Sequence, residues 1–224
     1  MILKKVGEGA HGSVFMGCAN KACVYKYAVK KSEIENLSTE YKLGALAYDL
    51  SPGGVVRPLA FKDGVIYSNY VPTSGSINKK NFKKIFKKVL LTLIDFQKKY
   101  PSFRHNDLSW RNVFIDNKGN ALIGDFGLSY VDKNGYRNPM ITSNEFKFSH
   151  GTYPNNDPKF DAHFFLNSIY MDIPEMRSTV AKYLPKEYRG IDTPKVKNGR
   201  LKFGVTHTKM PSIKQLFSKL TLNE

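Results

Sequence analysis

Cysteine is scarce: Cys18 and Cys23 are the only two in 224 residues. Two are too few for a disulfide framework, and no Cys/His cluster completes a four-ligand zinc site around them. The expectation is ordinary reduced thiols in a reducing, intracellular compartment. Long apolar runs are missing too. No stretch could cross a bilayer, so no membrane partner is expected. Met1-Ile2-Leu3 leads straight into lysines and a glycine-rich stretch, without a signal-peptide pattern. Acidic residues are few, 19 against 35 Lys+Arg, giving a net charge of +16 and a pI near 9.7. That imbalance says nothing about fold. It favours acidic partners such as nucleic acid, nucleotide or an acidic protein surface. Internal repeats and low-complexity tracts are absent as well.

What remains is 41% hydrophobic and 24% charged, the make-up of a folded globular chain with a sizeable core. Length allows one or two domains. The most informative stretch is residues 105–127, HNDLSWRNVFIDNKGNALIGDFG. Asp107 is followed five residues later by Asn112, and Asp125 and Gly127 come after a short turn. Phosphoryl transfer needs such a set: one carboxylate to orient a hydroxyl and accept its proton, and an amide oxygen with a second carboxylate to hold magnesium. Residues 113–115 and 121–123 read as a hairpin around a polar turn.

Other stretches supply the remaining parts. Val6, Gly7, Gly9, Gly12 and Val14 form G-x-G-x-x-G-x-V, and glycines let backbone approach phosphates with no Cβ in the way. A strand-like segment, residues 24–30, follows where a dinucleotide-binding fold would place a helix. It ends in Tyr27-Ala28-Val29-Lys30, with Lys30 at a suitable distance to meet phosphates. Ser38 is a candidate helix cap. Strands are expected over 55–61 and 65–70, joined by Asp63-Gly64 as a hairpin turn. Residues 81–99 give the clearest helix, with apolar Phe82, Ile85, Phe86, Val89, Leu90, Leu93 and Phe96 on one stripe. Opposite run Lys79, Lys80, Lys83, Lys84, Lys87 and Lys88, either a solvated face or one that binds polyanions such as nucleic acid. Further helices are expected over 160–171, 174–183 and 211–220, with a basic, irregular region before the last.

In this order the motifs resemble the eukaryotic-type protein kinases, over roughly residues 6–171: a glycine loop, a V-A-I-K-like strand, H-x-D-L-x-x-x-x-N and D-F-G. The compact size looks like the small kinases of large DNA viruses, a viral protein, or the RIO-type atypical kinases. The resemblance implies an α+β, bilobal fold. A small β-rich N-lobe would span residues 1–68 and a reduced helical C-lobe residues 69–224. It implies ATP and Mg2+ as cofactors. Asp107, Lys30, Asn112 and Asp125 would be catalytic, with Asn112 and Asp125 on the metal. Val6, Gly7, Gly9 and Gly12 would cover the phosphates. Val14 and Ala28 would sandwich adenine over Phe114. Glu40 would hold Lys30, although the interval between them is shorter than the family's. The Asn69 carbonyl and Val71 amide would read the adenine edge, with Ser68 guarding the rear pocket. Asp161 would brace the catalytic loop.

The chain departs from the pattern at Asn106, where the family has arginine, at Gly44, where leucine is expected, and in lacking A-P-E. Ser109 stands where serine/threonine kinases carry lysine. Arg111 matches the tyrosine-kinase style, while Thr152 leans to serine/threonine. The expected activity is transfer of the γ-phosphoryl group to serine/threonine hydroxyls of a protein, possibly acidic. The alternatives are a small-molecule phosphotransferase resembling aminoglycoside or choline kinases, and a catalytically dead polyanion-binding scaffold.

Overall fold

A computed structural model describes residues 4–9, 12–17, 23–27, 34–72, 76–133, 136–137, 157–191, 195–197, 199–202 and 205–222. It is a mixed helix-and-sheet structure. Strands β1 (Lys4–Gly9), β2 (Gly12–Met16), β3 (Cys23–Tyr27), β4 (Pro58–Lys62) and β5 (Val65–Asn69) form one antiparallel sheet in the order β1-β2-β3-β5-β4. Helix α1 (Ile34–Leu50) enters between β3 and β4 and packs on β4 and β5. The β4–β5 turn is set by Asp63 (φ 53°) and Gly64 (φ 77°), the paired left-handed residues that a two-residue hairpin requires.

The α1 helix begins before the expected cap. Ser38 lies inside it and caps nothing at its start. Cys23 is disulfide-bonded, not a free thiol as expected.

The rest of the chain is mainly helical. Helix α2 (Phe82–Lys99) buries the predicted stripe, and its phenylalanines stack into the interior: Phe82 on Phe86, and Phe86 on Phe165. Each fully buried side chain of this kind stabilises by roughly 1.5–3 kcal/mol. Strands β6 (Val113–Ile115) and β7 (Ala121–Ile123) form the expected hairpin, its turn tied by the Asp116 carboxylate to the backbone of Lys118 and Asn120. Helix α3 (Phe160–Asp172) is buried over most of its length, including the charged Asp161.

The segment expected as one helix over 174–183 is broken. A 3-10 turn at Pro174–Met176 precedes the short helix α4 (Arg177–Val180). The supposedly irregular basic region contains a hairpin, β8 (Val196–Lys197) and β9 (Arg200–Leu201), turned by Gly199 at φ 76°. Helix α5 (Ile213–Thr221) starts at a Ser212–Gln215 capping box and packs against α2. No helix among the described residues is long and apolar enough to cross a membrane.

Candidate active site

Below the five-stranded sheet lies a cleft of about 350 Å³. Val14, Val24 and Ile66 reach it from the sheet, Glu40 and Tyr41 from α1, and Asn112, Phe114 and Asp125 from the region of the β6–β7 hairpin. Gly124 leaves Phe114 its place there, since a Cβ on Gly124 would stand 2.9 Å from that ring.

The amine of this cleft is Lys26. Its Nζ donates to both Glu40 oxygens at 2.9 Å and to Asp125 Oδ1 at 3.2 Å. Lys30, expected in that role, lies outside the described residues, as does Ala28; Val24 lines the cleft in its place. Residues 24 and 26 share one face of β3, as alternation along a strand demands. Burial would lower the Lys26 amine, but Glu40 and then Asp125 outweigh it and hold it above the usual lysine range. Burial pushes the Glu40 carboxyl upward and Lys26 pulls it back. Two oxygens at 2.9 Å from a charged amine mark the ionised pair, and we read it as a salt bridge. Asp125 opens to the cleft with a side chain 46% exposed. Burial among the cleft walls would raise its carboxyl, and Lys26 more than reverses this, leaving it below the ordinary value. Gly127 passes close beneath: a Cβ there would meet Glu40 Oε2 at 3.1 Å.

The second pair is Asp107 and Asn112. Asn112 Nδ2 donates to the Asp107 backbone carbonyl at 2.7 Å and to Oδ2 at 3.0 Å. That spends the amide nitrogen and leaves the amide oxygen for a cation. The loop that carries Asp107 is held from below. Buried Asp161 accepts from the backbone N–H of His105 at 2.8 Å and of Asn106 at 2.9 Å. His105 Nε2 donates to the Gly124 carbonyl at 3.1 Å, and its Nδ1 accepts from the Asp107 N–H at 3.3 Å. The two contacts together require the Nε2–H tautomer. Asn106 is buried and donates to the Leu128 carbonyl. Both Asn106 (φ 63°) and Asp125 (φ 61°) adopt left-handed backbone, a conformation uncommon outside glycine and concentrated at functional loops. Phe126 anchors the second loop against His105, with ring centroids 4.9 Å apart.

One contact of this site was not foreseen from the sequence. Arg200 of β9 donates from its NH2 nitrogen to Asp107 Oδ1. The only signal was Asn198-Gly199, a turn pair between two short β-capable runs.

Other expected positions fall elsewhere. Ser68 lines the cleft, but Asn69 and Val71 border a separate hollow with Tyr48, Arg57 and Asp116. Alternation along β5 explains the first of these: Ile66 and Ser68 face the cleft, so Asn69 faces away. Gly9 pairs with Gly12 at the end of the β1–β2 hairpin, and the register slips between Lys5 and Gly7, at Val6. The tip of that hairpin, residues 10 and 11, lies outside the described residues, as does Thr152. No protein-family model matches the sequence, and no curated protein matches it either.

Proposed function

We propose that the chain is an ATP- and magnesium-dependent protein kinase transferring the γ-phosphoryl group to serine or threonine hydroxyls of proteins. One observation carries the reading: Lys26 binds Glu40 and Asp125 together in the cleft that Asn112 also lines, and Asn112 is hydrogen-bonded to Asp107. An amine for the phosphates, its carboxylate clamp, a metal-binding pair and a base thus come from four separate segments. The sheet with α1, residues 1–68, serves as a small N-lobe, and residues 69–224 as a reduced helical C-lobe.

In the reaction the acceptor hydroxyl gives its proton to Asp107 as its oxygen bonds to the γ-phosphorus and the β,γ-bridging P–O bond breaks. Lys26 orients the phosphates, and Val14 and Val24 cover the base, with Phe114 beneath it. Among the described residues no three His, Cys, Asp or Glu side chains form a metal cage. Magnesium in such sites takes one or two carboxylates with the substrate's phosphates, and Asp125 with the Asn112 oxygen fits that need. When bound, the ion neutralises charge on the β,γ-phosphates.

Labelled ATP and magnesium, offered with acidic proteins, basic proteins and aminoglycosides, test the reading. Protein phosphoserine or phosphothreonine is expected. Asp107→Asn should lose on the order of 10²- to 10⁴-fold in turnover and keep nucleotide binding. Transfer to aminoglycosides alone would instead establish a small-molecule phosphotransferase, and polyanion binding without any transfer a scaffold.

A further inference from the structure

Asp107 has two carboxylate oxygens, and a different residue holds each. Asn112 takes Oδ2, and Arg200 takes Oδ1 from 93 residues further along the chain. The loop itself offers no cation two residues past the aspartate, where Ser109 stands. Arg200 is no wandering surface side chain. It is 9% exposed, and its guanidinium lies 4.4 Å from the centre of the Phe164 ring. Its Nε is buried with no hydrogen-bond partner among the described residues, and the Asp107 contact and the Phe164 ring hold the head group.

The hairpin that presents it is anchored to α3. Asn167 Nδ2 donates to the Gly199 carbonyl at 2.8 Å, while Asn167 Oδ1 accepts from the Gly190 N–H at 2.7 Å. Gly199 itself lies against Met171, where a Cβ would come within 3.1 Å of the sulfur. Helix α3 also carries Asp161, which holds the catalytic loop. One helix therefore fixes both the base and the arginine that meets it.

We propose that Arg200 is the positioning residue of the catalytic aspartate: the C-terminal hairpin supplies the cation that Ser109 does not, fixing Asp107 Oδ1 while Asn112 fixes Oδ2. The role as base rests on the kinase reading above; the ion pair does not. Burial raises the Asp107 carboxyl, and Arg200 is the first of the groups that oppose this. Without the guanidinium, only Asn112 holds the carboxylate, and Oδ1 is free to turn from the position in which it meets the acceptor hydroxyl.

The test compares wild type, Arg200→Gln and Arg200→Lys. Glutamine keeps a donor and much of the packing, so that the fold survives. Crystal structures of the three proteins read the placement of the Asp107 carboxylate without requiring activity. The expected result is a carboxylate turned away from its wild-type position in Arg200→Gln, with Arg200→Lys close to wild type. In Arg200→Gln kcat should fall tenfold or more while the nucleotide KM stays unchanged. An Asp107 carboxylate placed in Arg200→Gln as in wild type overturns the proposal. A wild type inactive on every acceptor sinks the kinase reading alone, and the carboxylate placement still decides the contact.

Discussion

Two carboxylates share one partly buried amine, and both lose their counter-charge when it is removed. Lys26→Met should therefore cost phosphoryl transfer roughly 10²- to 10³-fold, the scale on which single electrostatic contacts act in such sites. It should also lower the melting temperature, because breaking a buried pair leaves Glu40 unpartnered. Lys30→Met should keep near-wild-type turnover, and a turnover loss confined to Lys30→Met would overturn the assignment. The sequence could not separate these two lysines by periodicity, since 26 and 30 share one face of an extended strand. A clue was nevertheless present. The interval from Lys30 to Glu40 is shorter than in the protein kinases that the motifs resemble, and moving back to Lys26 lengthens it by four. Asp107, Asn112 and Asp125 were legible because their spacing is local to one loop and hairpin. Arg200 was not, because nothing in the loop announces a partner 93 residues away.

At the scale of elements, α1 and α2 invite opposite experiments. Gly44 sits in the interior of α1, buried, and a Cβ there would meet Phe126 at 3.6 Å and Pro58 at 4.0 Å, ordinary packing distances. Gly44→Ala should therefore stabilise the protein by about 0.5–1 kcal/mol, read from denaturant unfolding at unchanged m. A loss of stability would mean that α1 needs the flexibility. In the turn before α2 and on its first turn, Lys79, Lys80, Lys83 and Lys84 are exposed, and Lys84 reaches the Lys118 carbonyl at 3.2 Å. Changing these four to glutamine should weaken heparin and duplex DNA binding. It should also reduce the log–log salt slope by about 0.9 for each lysine that contacts a phosphate, with peptide phosphorylation intact. An unaltered slope would leave the stripe as a solvated face. The α2 helix was plain in the sequence because its apolar residues recur on one stripe, and β4–β5 because Asp-Gly dictates its turn. Residues 174–183 misled: Pro174 starts a 3-10 turn and helix α4 ends at Val180. The start of α1 was misplaced because Ser38 offers a capping side chain but lies within the helix.

For the whole molecule, a buried histidine pair outside the cleft should weaken resistance to acid. His163 and His207 lie with ring centroids 5.1 Å apart, packed among Phe160 and Tyr188. His163 Nε2 donates to the Tyr188 carbonyl at 3.1 Å; neither ring nitrogen of His207 has a partner among the described residues. Lys159 is charged and close by: its Nζ donates to the His207 carbonyl at 3.0 Å. Burial pushes His163 down to about 4 and His207 to about 3, where the neighbouring imidazole and Lys159 add to the effect. Folded values below the ordinary 6.5 mean that the unfolded chain binds more protons in this window. Stability is thus fully present above about pH 6.5 and falls as the pH drops toward 4 and then 3. The fall amounts to about 1.4 kcal/mol per pH unit for each histidine. His207→Phe keeps the ring packing and removes one titrating group whose ring makes no hydrogen bond among the described residues. Unfolding free energies measured between pH 7 and pH 5 should decline less steeply in this variant, by about one histidine's share. A decline as steep as that of wild type would show that carboxylates elsewhere, not this pair, govern the response to acid.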